Sequence, residues 1–219
     1  SIGTWMQIPS ADIAEILSSS KFYEWIVIDM EHGSFSRQDL TSIVRAISMN
    51  SVLPFVRLQT KNIQAVKDIV DFGFCGYIVP MIESSLELKL IKDQILYPPK
   101  GKRGVGFSRS NQYGINFDSA IKNNTFPYLV GMIETIEGLK NLNDILNYEF
   151  IDAILVGPYD LSASLGVCGN FESKIFKDAF QEIQESCNKK NIPFGTHIVK
   201  PSNKKLKEAI NDGSRFIPY

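Results

Sequence analysis

Eight short apolar runs, seven helix-periodic segments that follow the first seven, and acid, base and arginine groups at or just beyond several run ends predict an α/β protein of the TIM (β/α)8 barrel class. The runs are Gly3 to Ile8, Trp25 to Met30, Leu53 to Leu58, Gly76 to Met81, Tyr128 to Glu134, Ala153 to Pro158, Pro193 to Ile198 and Arg215 to Tyr219. Strands covered on both faces need apolar residues on both faces, and helices between parallel strands provide that cover. The expected helices are Ser10 to Ser19, Ser36 to Met49, Asn62 to Phe72, Ser84 to Leu96, Thr135 to Leu146, Ser173 to Lys189 and Pro201 to Asn211. Ser10, Ser36 and Asn62 stand just before periodic segments and Thr135 opens another, each bringing a side-chain oxygen that can cap free amides. Gly73 reads as a helix C-cap leading into the fourth strand, and Gly213 as the same device before the eighth.

Tyr97 to Pro127, rich in Gly, Asn, Ser and Pro, falls outside the alternation and reads as an irregular functional loop over a barrel mouth or as an insertion. The chain stops at Tyr219 with no eighth helix. The expectation is one domain over residues 1–219, truncated at its C-terminus, with Phe216 and Ile217 left on an uncovered outer face.

The 219 residues are 44% hydrophobic and 21% charged, with a net charge of −1 that offers no basic surface for nucleic acid or an anionic membrane. No apolar run reaches the roughly 18 residues of a membrane span, and Ser1-Ile-Gly-Thr-Trp5 lacks a basic leader, so a cytoplasmic enzyme acting on a small molecule is expected. Cys75, Cys168 and Cys187 are odd in number and lack paired short spacing, which suits reduced thiols rather than a disulfide or zinc site.

Parallel barrels do their chemistry at the carboxyl ends of the strands. Glu134 ends Val130-Gly-Met-Ile133 and Asp160 lies two residues beyond Gly157-Pro158. Two hard oxygen ligands there could bind one divalent ion and leave positions open; helix capping or pairing with an arginine is the alternative. His32 follows Trp25-Ile-Val-Ile-Asp-Met-Glu31 at a strand-to-helix turn, where an imidazole can act as a base or can be structural. Asp29 and Glu31 are near enough in sequence to orient it or to hold a metal-bound water. Arg57, ending Pro54-Phe-Val56, can stabilise a carboxylate or a developing oxyanion, with a helix-capping salt bridge as the alternative. His197 reads as structural. Gly101 to Gly106 lacks the spacing of a phosphate-binding loop. A Schiff base is the rival mechanism, for which Lys200 after Thr196-His-Ile-Val199 is a candidate, a solvated surface lysine being the alternative.

Taken together, Asp29-Met-Glu-His32, Pro54-Phe-Val-Arg57, Val79-Pro-Met81, Tyr97-Pro-Pro-Lys-Gly-Lys-Arg-Gly-Val-Gly106, Ile133-Glu134 and Gly157-Pro-Tyr-Asp160-Leu-Ser-Ala-Ser-Leu-Gly166 resemble the HpcH/HpaI aldolase family nearly end to end. The resemblance implies a metal-dependent class II pyruvate aldolase acting on 4-hydroxy-2-oxo diacids or sugar-acid derivatives. It implies Glu134 and Asp160 as ligands of Mg²⁺, Mn²⁺ or Co²⁺, His32 as the base, Arg57 as the oxyanion stabiliser, and Asp71 as the carboxylate that raises the basicity of the histidine. Backbone amides of Tyr159 and Asp160 would hold the pyruvate carboxylate. Family members that cleave diacid aldols carry a substrate-contacting glutamine where this chain has Met132, a thioether that cannot replace those hydrogen bonds. A homo-oligomer, specifically a hexamer exchanging its last helix, is also implied. Decarboxylation of oxaloacetate and non-catalytic binding of a sugar acid are the alternative functions.

Overall fold

The eight apolar runs are parallel strands in a computed structural model describing residues 1–219. They are β1 (Ile2–Met6), β2 (Trp25–Asp29), β3 (Leu53–Arg57), β4 (Gly76–Val79), β5 (Tyr128–Ile133), β6 (Ala153–Val156), β7 (Phe194–Thr196) and β8 (Ile217–Pro218). Hydrogen bonding places them in the order β7-β6-β5-β4-β3-β2-β1-β8, so consecutive strands are sheet neighbours and β8 lies beside β1. The Ile198 N–H just after β7 also donates to the Pro218 carbonyl at 3.0 Å, tying one end of that order to the other. This is the TIM-like (β/α)8 class.

The helices are α1 (Ala11–Ser19), α2 (Arg37–Ser48), α3 (Ile63–Ile69), α4 (Ser85–Ile95), α5 (Phe117–Asn123), α6 (Ile136–Lys140), α7 (Leu142–Leu146), α8 (Pro158–Ser164), α9 (Lys174–Lys190) and α10 (Asn203–Asn211). Local chemistry sets their starts. Ser10 Oγ accepts from the Ile13 amide, Asn62 Oδ1 from Gln64 and Thr135 Oγ1 from Gly138, while Ser36 and Asp39 form a reciprocal capping box. Gly73, at φ 76°, ends the turn after α3 in the left-handed conformation that glycine adopts without steric penalty.

Tertiary contacts change four details of the expected pattern. The third helix ends at Ile69 and tightens to a 3₁₀ turn over Val70–Phe72. Thr135 to Leu146 is two short helices, because Asn141 leaves the helical conformation and its amide group donates to the Glu83 carbonyl and to Glu137. Tyr97 to Pro127 is partly regular, with 3₁₀ turns within Arg109–Gly114 broken by left-handed Gln112 and Tyr113, and with helix α5. Gly157-Pro158 opens the additional helix α8, where proline at the first helical position costs no hydrogen bond.

Two compact units divide the chain. One comprises Ser1–Thr4, Ile78–Leu88 and Leu129–Tyr219, and the other Trp5–Tyr77 and Lys89–Tyr128. The core of the second is built on Trp25 stacked on Phe55 (5.8 Å between ring centres) and Phe55 on Tyr128 (6.0 Å), with Gly76 bare because a side chain there would overlap the Phe55 ring. In the first, Ile154, Leu155, Val156, Ile183 and Phe194 are buried; each such side chain contributes roughly 1.5–3 kcal/mol relative to exposure. Phe216 and Ile217 are buried too, at 7% and 2% exposure, contrary to the expected bare face. Ile217 is paired with Ile2, and Gly195, lacking a side chain, lets the Phe216 backbone lie directly against it.

Candidate active site

In the Trp5–Tyr77 part of the chain, Asp29 ends β2 fully buried opposite Arg57 at the end of β3, because the register pairs these two residues. Arg57 Nε donates to Asp29 Oδ1 at 2.9 Å and Nη2 to Oδ2 at 2.6 Å, a two-pronged pair that fixes the guanidinium plane. Arg57 Nη1 reaches Glu31 Oε2 at 2.9 Å, and its guanidinium carbon lies 4.6 Å from the centre of the Trp5 ring. Gln7 Nε2 donates to Asp29 Oδ2 at 3.0 Å. Burial opposes ionisation of Asp29, but the hydrogen bonds and charge of Arg57, then Gln7 and the His32 amide, outweigh it and hold the carboxyl below its ordinary value.

The same carboxylate shapes the turn that carries His32. Asp29 Oδ1 accepts from the amides of Glu31 (3.1 Å) and His32 (3.2 Å), and its carbonyl accepts from Gly33 (2.9 Å). Gly33 has no side chain where one would overlap the Asp29 carbonyl and the Phe35 ring. The turn is thus closed around Asp29, and the His32 imidazole is left exposed. Asp29 and Glu31 both grip Arg57, and Asp29 also orients His32 through its backbone amide.

Asp71 stands elsewhere. It lies in the 3₁₀ turn before β4, whereas His32 follows β2, and the parallel strands put these positions at opposite ends. A five-residue strand such as β2 separates its ends by about 16 Å, so the expected support of His32 by Asp71 is not made within one chain. Asp71 pairs with Arg103 at 2.8 Å; Arg103 also donates to the Val70 carbonyl and Ser110, and packs 4.6 Å over the Tyr97 ring. The Lys-Gly-Lys-Arg stretch is therefore a pin for the segment after α4.

In the other unit, Glu134 follows β5 and is buried, at 3% exposure. Its Oε2 accepts from the Met81 amide at 2.8 Å. Met81 has φ 50°, left-handed backbone that costs a non-glycine residue on the order of 1 kcal/mol. A methyl group at Gly157 would stand 2.7 Å from Glu134 Cγ and 2.9 Å from Cδ, and closer still to Oε1. Thr135, next in the chain, caps α6 and donates to Glu83 Oε1 at 3.0 Å. Met132 shares the face of Glu134 by strand alternation, is buried at 3% exposure, and lends its carbonyl to the Ile82 amide.

Asp160 lies exposed in the first turn of α8. The first intrahelical bond there runs from the Leu161 amide to the Gly157 carbonyl, so the Tyr159 and Asp160 amides are donors without intrahelical acceptors, and Pro158 has none to offer. His197, just past β7, is half-buried, and Lys200 is exposed. Gln7, Trp5, the Met81 amide and Gly157 were not singled out for these roles by sequence reasoning. Gly157 and Met81 lie inside quoted motifs, yet what they touch is distant in sequence. No helix is long and apolar enough to cross a membrane.

Residues 1–218 match the HpcH/HpaI aldolase/citrate lyase family. The chain is 30% identical over 217 residues to the 5-keto-4-deoxy-D-glucarate aldolase of Escherichia coli K12, covering 99% of this chain and 84% of the relative. An HpcH/HpaI aldolase/citrate lyase family protein from Burkholderia cenocepacia J2315 superposes with a TM-score of 0.91 at 26% identity, over 99% of this chain and 86% of that one. The HpcH/HpaI aldolase of Desulfitobacterium hafniense DCB-2 shares the fold at 21% identity, with a TM-score of 0.89 over 99% of this chain and 84% of that one. Whole-length agreement in sequence and fold, around strand ends that carry the motif residues, makes this chain a member of the HpcH/HpaI aldolase/citrate lyase family and a carbon–carbon lyase.

Proposed function

We propose that the protein cleaves a 4-hydroxy-2-oxo acid reversibly to pyruvate and an aldehyde, with a divalent cation (Mg²⁺, Mn²⁺ or Co²⁺) held by Glu134 and Asp160. The observation that carries this reading is the buried Glu134 carboxylate, set by a backbone amide at the end of β5 in a chain of this family. Carboxylate oxygens are hard donors and fit such a cation. Glu134 and Asp160 would supply two protein oxygens, and water and substrate oxygens would supply the rest. When bound, the cation supplies positive charge for the electron pair released as the C3–C4 bond breaks.

The chain's own residues do the remaining work. The Tyr159 and Asp160 amides donate to the carboxylate of the 2-oxo acid. His32 takes the proton of the 4-hydroxyl, directly or through water, as C4 becomes the aldehyde carbonyl. A proton then goes to C3, which becomes the methyl group of pyruvate. Arg57, clamped flat by Asp29 and Glu31, would offer its remaining N–H donors to negative charge developing on oxygen.

Chelation should abolish pyruvate release from a 4-hydroxy-2-oxo acid, and Mn²⁺ should restore it. Activity that persists in chelator, with a borohydride-trapped pyruvate adduct on Lys200, would replace the metal reading with a Schiff base. Decarboxylation of oxaloacetate is a second reading, favoured by Met132: its buried thioether offers no donors for a polar aldehyde half. Rates of pyruvate release from oxaloacetate and from aldol substrates separate the two.

A further inference from the structure

We propose that Gly157 and the left-handed backbone of Met81 form a clamp that fixes the Glu134 carboxylate as a ligand for a divalent cation; this rests on the metal reading above. Met81 is 45% exposed, so burial of its side chain does not account for its backbone conformation. What the conformation achieves is to aim the Met81 N–H at Glu134 Oε2, 2.8 Å away. Ile82, the next residue, donates to the Met132 carbonyl at 3.0 Å, so the turn is pinned at two points of one strand end. Pro80, which has no N–H, cannot compete for the carboxylate.

Gly157 closes the other side. Its φ of −87° and ψ of 97° are open to any residue, so its backbone conformation does not demand glycine. Space does, because a methyl group would overlap Cγ, Cδ and Oε1 of Glu134. Gly157 also N-caps α8, the helix that carries Asp160. One glycine therefore sets the seat of one proposed ligand and begins the helix bearing the other.

The test uses two measurements on the full chain. Hydrogen exchange of the Met81 amide in metal-free protein reports the clamp, and Mn²⁺ titration followed by electron paramagnetic resonance reports its purpose. Gly157→Ala should speed Met81 exchange and weaken Mn²⁺ binding by about tenfold or more, with the melting temperature little changed. Met81→Val, whose β-branched side chain disfavours left-handed backbone, should do the same, and Met81→Gly should restore most of what Met81→Val loses.

Unchanged Met81 exchange in Gly157→Ala would overturn the clamp. So would faster exchange with wild-type Mn²⁺ affinity while Glu134→Gln loses affinity. Wild-type Mn²⁺ affinity in Glu134→Gln would overturn the ligand assignment and this proposal together, and that control tells the two failures apart.

Discussion

Two buried carboxylates stand at strand ends, Asp29 closing β2 and Glu134 just after β5, and they show different contacts. Asp29 is gripped by a guanidinium in a two-pronged pair and also closes its own turn. Glu134 is seated by a backbone amide and by the missing side chain of a glycine. A two-pronged pair with a carboxylate anchors an arginine, and a backbone amide donated to a carboxylate orients it and leaves its charge in place, as a cation ligand needs.

The sharpest way to break the comparison is Glu134→Gln, an isosteric change that removes the charge. The cleavage rate should fall by about 10³-fold or more, several kcal/mol of charge stabilisation, and Mn²⁺ affinity should fall with it. An unchanged Mn²⁺ isotherm would make Glu134 another anchor. Asp29→Ala should act first on stability, because Arg57, at 9% side-chain exposure, loses its two-pronged partner and keeps only Glu31; denaturant unfolding should show a loss of about 3 kcal/mol. Mn²⁺ affinity in the folded fraction should be nearly unaffected.

Acid titration sharpens the same contrast. The Asp29 carboxyl is held below its ordinary value of 3.8, so its stabilising effect is complete above that pH and is lost as pH falls below it through the folded value. Unfolding free energies of the wild type and Asp29→Asn should therefore converge as pH drops below 3.8; a constant gap would deny the linkage. The smallest effect concerns thiols. Burial pushes the Cys187 thiol up to about 12, while Cys168 is exposed, so a disulfide reagent near neutral pH should label Cys168 and spare Cys187 until the protein unfolds.

Strand positions were legible because two-sided burial demands apolar runs, and helix starts were legible at Ser10, Asn62 and Thr135 because a capping oxygen acts within three residues. The break at Asn141 was not, since it depends on a bond to the Glu83 carbonyl 58 residues away. Likewise Asp29 was read beside His32, whose backbone amide it accepts, but sequence proximity could not show Arg57, which register supplies. Asp71 fails to meet His32 in one chain for a related reason, because direction along a parallel strand decides which end of the sheet a residue occupies.

The order of apolar runs, the turn chemistry and the family motifs determined, without coordinates, that this is a (β/α)8 lyase of the HpcH/HpaI class with polar residues at its strand ends. Those signals are local, or repeat at the fixed period of a helix or strand. Only the tertiary structure decided that Arg57 belongs to Asp29, that Gln7 joins them, and that the Met81 amide and the bare face of Gly157 seat Glu134. Hydrogen bonds and overlaps act over a few ångströms, and residues far apart in the chain come that close only when strand register and turn conformation are set.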